Sequence, residues 1–157
     1  MNIEDIATAM AQKFAIEELH RQDGLLEVEI DGALVQIEET DGDDFIFKGL
    51  IGDPPSDGGE VFAKIALESN MALMHTKAMA ITRDPESSVY VLIERIPRAH
   101  VSDFEIFCDY LGKFMDTLDL WRNMLHDFSP AKAMAALDAD EKEAQAVNAL
   151  RYGFLRA

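Results

Sequence analysis

The stretch from Lys77 to Pro97, "KAMAITRDPESSVYVLIERIP", most constrains the fold because it predicts a two-stranded antiparallel hairpin. The second strand, "SVYVLIE", is rich in the β-branched and aromatic residues that favour strands. "DPES" predicts a type I turn, since Asp84 suits its first position and Pro85 presets φ at the second. Pro97 has no N–H donor and ends the second strand. The chain therefore contains an antiparallel sheet.

Three further strands are predicted upstream as a meander. "LLEVEID", "ALVQIEE" and "FIFKGLI" are separated by the turn signals "DG" at 31–32 and "DGDD" at 41–44. One face of these strands is apolar, and the other carries Leu34, Ile46 and Leu50 beside Gln36 and Lys48. An antiparallel sheet with one face in water usually alternates more cleanly. The second face is thus too apolar for a surface that only meets solvent.

Helices surround these strands. Apolar residues recur at helical spacing in 2–17, 59–75 and 103–127, and "SP" at 129–130 predicts the start of an alanine-rich C-terminal helix. "GDPPSDGG" (52–59) predicts the linker before the second helix. The predicted fold is α+β: helix, three-strand antiparallel meander, helix, β-hairpin, long helix and an extra C-terminal helix. The twisted sheet and its helices form one domain over 1–127, and 128–157 form a helical extension.

The charge and cysteine content limit the environment and the partners. The net charge of −16 disfavours nucleic acid and anionic membranes as partners, because both are polyanionic. Cys108 is the single cysteine, so no internal disulfide can form, and a reducing cytoplasm is the expected compartment. No apolar run approaches the roughly 20 residues of a membrane-spanning helix. We expect a cytoplasmic protein with no nucleic-acid or membrane partner.

The sequence offers no reactive constellation, so we expect no enzyme, cofactor or metal site. Cys108 falls on the apolar stripe of the long helix, and the four histidines lack a second ligand at zinc spacing. The unusual feature of the sequence is its apolar content, which includes eight methionines. Methionine side chains adapt to varied partners. This pattern favours a polypeptide-binding dimer.

The order of elements resembles the class I chaperones of bacterial type III secretion, the Tir-chaperone family. The resemblance is carried by "ALESNMALMHTKAMAITRDPESSVYVLIERIP" (66–97) and "DFEIFCDYLGKFMDTLDLWRNML" (103–125). Its features are Leu67–Glu68–x–Asn70 before a strand, a turn at Asp84–Pro85, a closing Pro97, and a helix finishing in Trp121–Arg122. The chain departs from the family in "MHTKAM" before the first hairpin strand, where glycine is usual, and in its longer C-terminal helix.

The resemblance implies a cytoplasmic bacterial homodimer that binds the N-terminal chaperone-binding segment of one or more secreted effectors. Such a segment wraps around the chaperone in extended form and stays soluble, partly unfolded and competent for export. Backbone pairing and apolar pockets suit this task. The resemblance leaves open whether the chain also contacts the secretion ATPase.

Two sets of site residues follow as hypotheses. The expected effector-binding residues are Phe14, Ile16, Leu34, Ile46 and Leu50. The expected dimer-interface residues are Leu67, Met71, Met74, Met79 and Ile81. The alternatives are a dimeric regulatory protein-binding module of the same fold without a secreted client, and an enzyme or small-ligand carrier with a pocket that the sequence does not reveal.

Overall fold

The computed structural model describes residues 1–14, 20–22, 24–136 and 139, and it shows helices packed on a six-stranded antiparallel sheet. The elements are α1 (Ile3–Phe14), β1 (His20–Gln22), β2 (Leu25–Ile30), β3 (Ala33–Glu39), β4 (Asp44–Gly52), α2 (Gly59–Lys77), β5 (Met79–Arg83), β6 (Tyr90–Pro97) and α3 (Phe104–His126). A 3-10 turn, Arg98–His100, joins β6 to the segment before α3. The predicted α+β class is confirmed, and so is the predicted order of elements as far as α3, apart from the additional strand β1.

Side-chain hydrogen bonds cap the starts of α1 and α3. The Asn2 side chain accepts from the backbone N–H of Asp5 at 2.9 Å, which caps α1. The Asp103 carboxylate accepts from the N–H groups of Glu105 and Ile106, both at 3.0 Å, and caps α3. These bonds hold the pKa of Asp103 below its usual range, with the bond from Ile106 contributing most. A carboxylate at this place also suits the positive end of the helix dipole.

The sheet order is β1-β2-β3-β4-β6-β5. The hairpin formed by β5 and β6 joins the meander through β6, which pairs with β4, and β5 is left at the edge. The opposite edge is β1, a three-residue strand that the sequence pattern did not predict. Its sequence, "HRQ", lacks apolar alternation because all three side chains are exposed. Strand β1 is thus formed by pairing with β2 and not by burial.

The hydrophobic core lies on one face of the sheet. Helices α1 and α3 cover that face and contribute Ile6, Met10 and a set of aromatic rings. The Phe47 ring of β4 meets the edges of Phe107 and Phe114 of α3, at centroid distances of 5.5 and 5.6 Å. All of these side chains are fully buried or nearly so. The opposite face of the sheet has no helix against it among the described residues.

Gly49 determines how closely α3 approaches the sheet. It faces the core from the middle of β4, and a Cβ atom there would lie 2.6 Å from Leu118 Cδ2 and 3.0 Å from Phe114 Cε1. Both contacts are closer than packed carbon atoms tolerate. The absence of a side chain at Gly49 therefore lets α3 cross directly over the central strands.

The start of the C-terminal segment packs on the body of the fold. The ring of Phe128 meets the buried ring of Phe62 edge-on at 5.3 Å, and Pro130 lies against Gly58 before α2. Residues 130–136 are helical, as "SP" predicted. The rest of the predicted extension, apart from residue 139, lies outside the described residues. The proposed domain boundary at 127/128 remains a prediction.

We expect Gly49→Ala to lower the free energy of unfolding by about 1–3 kcal/mol, the usual cost of overpacking a close-packed core. Chemical denaturation followed by circular dichroism measures it. Gly112→Ala is the matched control, because Gly112 lies on the exposed side of α3 and an added methyl group there would meet open space. That substitution should be neutral or stabilising by up to about 1 kcal/mol. Equal effects of the two substitutions would contradict the packing account.

Candidate protein-binding surfaces

The face of the sheet opposite the helices carries a groove of about 650 Å³. It lies across β3, β4, β6 and β5 and ends at the turn of the hairpin. Its floor and walls comprise Leu34, Gln36, Lys48, Leu50, Thr82, Arg83, Asp84, Pro85, Ser87, Val89, Val91 and Ile93. The groove exists because alternate residues of each strand point away from the core. We refer to this set of residues as the sheet groove.

The centre of the sheet groove is apolar and accessible. Leu34 is 45% exposed and Leu50 is 39% exposed, both high for leucine in the middle of a sheet. Leu50 lies opposite Val91 in the register of β4 and β6, and Ile93 follows on the same face. Polar groups lie beside them, including Lys48, which is paired with Glu38 at 2.6 Å. The arrangement provides apolar contact area with polar groups at its margin.

The structure brings only part of the predicted effector-binding set together. Leu34 and Leu50 both line the sheet groove. Ile46 lies on the same face and is half-buried, but the register places it between Glu38 and Arg95, outside the groove. Ile16 lies outside the described residues. The prediction for these residues as effector contacts stays a prediction.

Phe14 belongs to a different surface. It ends α1 on the helix-covered side, is 49% exposed, and lies 6.5 Å from the ring of Phe104. The Lys13 ammonium lies 5.9 Å from the Phe14 ring and 5.5 Å from the Phe104 ring, within cation–π range. The sheet therefore separates Phe14 from Leu34 and Leu50.

Helix α2 exposes a stripe of large apolar side chains. Leu67, Met71 and Met74 are 73, 70 and 65% exposed, and their spacing places them on one side of the helix. The buried residues of α2 are Phe62 and Ala66. Helix α2 thus carries apolar side chains on its exposed side as well as on its packed side. Three large side chains in one stripe form an apolar patch of the kind that marks protein contacts.

Met79 and Ile81 differ from the other three residues of the predicted dimer set. Their side chains are 2% and 5% exposed and belong to the core of the protomer, because they lie on the inner face of β5. Neither side chain is available to a second copy in this structure. The sequence prediction missed this because an edge strand with apolar residues suggests an interface as readily as a core.

The sheet groove includes residues that the sequence prediction did not assign to a site. Val91 and Ile93 contribute to it from β6, and Val89 contributes from the position just before that strand. The signal was present in the alternation of that strand, which separates these three residues from the buried Tyr90 and Leu92. What the sequence lacked was the pairing of β6 with β4, which places the three residues beside Leu50.

Few of the described side chains are arranged for metal binding or catalysis. Within the described ranges no cluster of three or more His, Cys, Asp or Glu side chains could hold a metal ion, and no described helix is long and apolar enough to cross a membrane. Burial raises the pKa of the Cys108 thiol, which makes the reactive thiolate scarcer. Arg95 and Arg98 are paired with Asp44 and Glu39, so neither offers an uncompensated positive charge.

Glu94 is the one described side chain with a buried oxygen that has no hydrogen-bond partner. It lies on the inner face of β6, beside a cavity that Lys77 and Lys113 also line. Burial raises its pKa to about 7, against the opposing attraction of Lys113 and Lys77. The Lys77 ammonium instead donates to Thr117 Oγ1 at 2.8 Å. Glu94 is therefore a destabilising buried carboxylate at neutral pH.

We expect Glu94→Gln to stabilise the fold increasingly as pH rises. The pKa of the Glu94 carboxyl is 4.5 in the unfolded chain and about 7 in the folded protein. Between these two pH values the folded protein binds more protons than the unfolded chain, so its stability falls as the pH rises from 4.5 to 7. The gain from Glu94→Gln should grow by up to about 3 kcal/mol between pH 4.5 and 8 and then level off. Urea denaturation at several pH values measures it. The exposed control Glu29→Gln should show no such trend, and a constant difference for Glu94→Gln would refute the titration.

Comparison with known proteins supports one family. Residues 6–122 match the model of the Tir chaperone protein (CesT) family. Among proteins with curated descriptions, none matches this sequence. The fold is similar to chains in solved structures of the ExsC–ExsE complex (TM-score 0.68, 13% identity, 80% of this chain and 97% of that chain) and the HopA1–SchA chaperone–effector complex (0.61, 14%, 78% and 98%).

A further structural match is to the ExoU–SpcU complex from the type III secretion system of Pseudomonas aeruginosa. Its TM-score is 0.55 at 17% identity, over 77% of this chain and 98% of that chain. At identities of 13–17% the structural matches establish the fold alone. The family model matches most of the sequence and therefore establishes the family. The resemblance drawn from the sequence motifs is thus confirmed, and this chain belongs to the Tir chaperone protein (CesT) family of type III secretion chaperones.

Proposed function

We propose that this chain is a homodimeric chaperone of the bacterial cytoplasm that holds the N-terminal segment of a secreted effector, in extended form, in the sheet groove. The observation that carries the proposal is the exposed apolar centre of the groove, where Leu34 and Leu50 face away from the core. No catalytic step is part of the proposed function. The protein acts by covering apolar segments of its client.

The shape of the groove favours an extended client. Its floor is a sheet whose apolar side chains project at regular intervals from neighbouring strands, and an extended peptide presents alternate side chains at a similar spacing. Each apolar client side chain that enters is removed from water at about 25 cal/mol per Å². That gain must exceed the entropy cost of ordering the segment, so the contact has to be long.

The position of Phe14 suggests how a long contact is made. Phe14 is exposed on the helix-covered side of the sheet, whereas Leu34 and Leu50 are exposed on the opposite side. A segment that contacts both surfaces has to pass around the body of the protomer. This separation supports a wrapped client and not one bound compactly at a single site.

The net charge of −16 suits the same task. A client segment with exposed apolar residues tends to aggregate, and like charge on every complex opposes association between complexes. Polar groups line the groove as well, and the Lys48 ammonium, which is paired with Glu38, has further N–H donors that a client backbone could accept.

For the homodimer we propose a contact through α2. Leu67, Met71 and Met74 form a self-complementary surface when two copies are related by a two-fold axis, because each stripe then covers the other. Met79 and Ile81 would support this contact from within the protomer core, by fixing β5 beneath α2. Methionine side chains fill an irregular interface well.

The double substitution Leu34→Asp/Leu50→Asp should reduce client binding by at least about 100-fold, since each change places a charge in an apolar contact. Co-expression with the client effector and co-purification, followed by titration calorimetry with its N-terminal segment, measures the loss. The control is Leu120→Asp, an exposed leucine of α3 outside the groove, which should bind as the unmodified chain does. Normal binding by a folded double variant would show that the groove is not the client site.

Met71→Asp should convert the dimer into monomers, because two carboxylates would meet near the two-fold axis of the α2 contact. Sedimentation equilibrium reports the mass, and circular dichroism confirms that the helix content is kept. Leu120→Asp again serves as the control and should leave the dimer intact. A Met71→Asp protein that remains fully dimeric would exclude α2 as the interface.

A further inference from the structure

Residues 144–157, which lie outside the described residues, differ in charge from the rest of the sequence. Their sequence, "AQAVNALRYGFLRA", contains two arginines and no acidic residue, in a chain whose net charge is −16. It is also rich in large apolar residues. Leu150, Tyr152 and Phe154 occupy alternate positions, which is the spacing at which an extended chain directs side chains to one side. We refer to residues 144–157 as the basic segment.

The sheet groove matches the basic segment in both respects. Its centre is apolar and includes the exposed Leu34. Strand β2 borders it, with Glu29 opposite Leu34 and Glu27 opposite Gln36 in the register with β3. Cross-strand partners point to the same face of a sheet, so both carboxylates lie on the groove side. Neither forms an ion pair with a basic side chain of the described part of the chain.

The basic side chains of the sheet groove do not oppose such a segment. The Lys48 ammonium is already paired with Glu38 at 2.6 Å. Arg83 lies on β5, on the side of the groove away from β2, and donates to the backbone carbonyl of Ser88. The groove therefore has an apolar centre and an acidic border, which complement an apolar segment with two arginines.

The described chain leads toward this groove. Leu125, near the end of α3, packs against Gly52, where an added Cβ would lie 3.0 Å from Leu125 Cδ2. Gly52 ends β4 and lies two residues beyond Leu50 of the groove. The helical residues 130–136 then cover about 10 Å, and residues 137–143 can reach up to about 23 Å. The chain is thus long enough to bring the basic segment back to the groove.

We propose that the basic segment occupies the sheet groove of its own protomer in the absence of a client, and that it has to leave before a client binds there. Its large apolar side chains would cover Leu34 and Leu50, and its arginines would reach the carboxylates of β2. A tethered segment acts at an effective concentration in the millimolar range, so weak contacts suffice. The displacement by a client rests on the proposed function, whereas the docking of the segment does not.

Photo-crosslinking of the purified full chain tests the docking. A photoreactive phenylalanine analogue in place of Phe154 should crosslink to peptides that contain Leu50 or Val91, identified by mass spectrometry after proteolysis. The same analogue in place of Lys132 is the control and should not reach the groove. A mixture of labelled and unlabelled chains shows whether the crosslinks lie within one chain, as we expect. Crosslinks from position 154 only to α2, to Leu120 or to a second chain overturn the proposal, and so does the absence of crosslinks to the groove.

Charge reversal tests the acidic border. Arg151→Glu/Arg156→Glu should lower the yield of groove crosslinks from position 154 at least about fivefold, because like charges then face each other. The matched control Lys132→Glu/Lys142→Glu changes the net charge equally but outside the basic segment, and should leave the yield unchanged. Equal losses in both variants would contradict the complementarity of segment and groove.

A fluorescent synthetic peptide of residues 144–157 tests whether the segment closes the groove. It should bind the full chain carrying Arg151→Glu/Arg156→Glu at least about fivefold more tightly than the unmodified chain, whose own segment competes with it. Adding Leu50→Asp to that variant should abolish the gain, with circular dichroism to confirm the fold. Equal affinity for the charge-reversed and unmodified chains overturns the closure. Because these readouts use no client, they stay distinct from a failure of client binding at the groove.

Discussion

The close contact between α3 and the centre of the sheet determines the rest of the structure. Because Gly49 has no side chain, Leu118 and Phe114 approach β4 directly, and α3 with α1 is sufficient to bury one face of the sheet. Helices α1 and α3 both pack on that face. No described helix remains for the opposite face, which keeps Leu34, Leu50 and Val91 at the surface. The sheet groove thus results from the one-sided core as well as from the residues that line it.

Helix α2 lies beside this core and has both a packed side and an exposed side. It follows β4 through the loop at 53–58 and packs on the core through Phe62 and Ala66, with Ile65 and Leu73 partly buried beside them. Its exposed stripe of Leu67, Met71 and Met74 faces outward. Its polar residue Asn70 points to the backbone of β5 and protects the edge there. One helix therefore presents an exposed apolar stripe and also covers an edge of the sheet.

The sequence predicted what depends on local patterns. The turn at Asp84–Pro85, the helix start at 129–130 and the long apolar stripe of α3 each follow from residues close in the chain, and the structure contains them all. The sequence alone could not predict features that depend on the pairing of strands distant in the chain. The insertion of β6 beside β4 placed Val91 and Ile93 in the groove, and the orientation of β5 buried Met79 and Ile81. Strand β1 had no apolar pattern to reveal it, and the closeness of α3 at Gly49 is visible only in three dimensions.

The central claim is that a client segment occupies the sheet groove, and site-specific photo-crosslinking in the host bacterium tests it most directly. A photoreactive amino acid replaces Leu50 in the groove, or Leu120 on α3 as the reference position. The account predicts a covalent adduct from position 50 to the N-terminal segment of a secreted effector, identified by mass spectrometry of the crosslinked peptide, and no such adduct from position 120. Adducts to an effector from position 120 with none from position 50 would contradict the account.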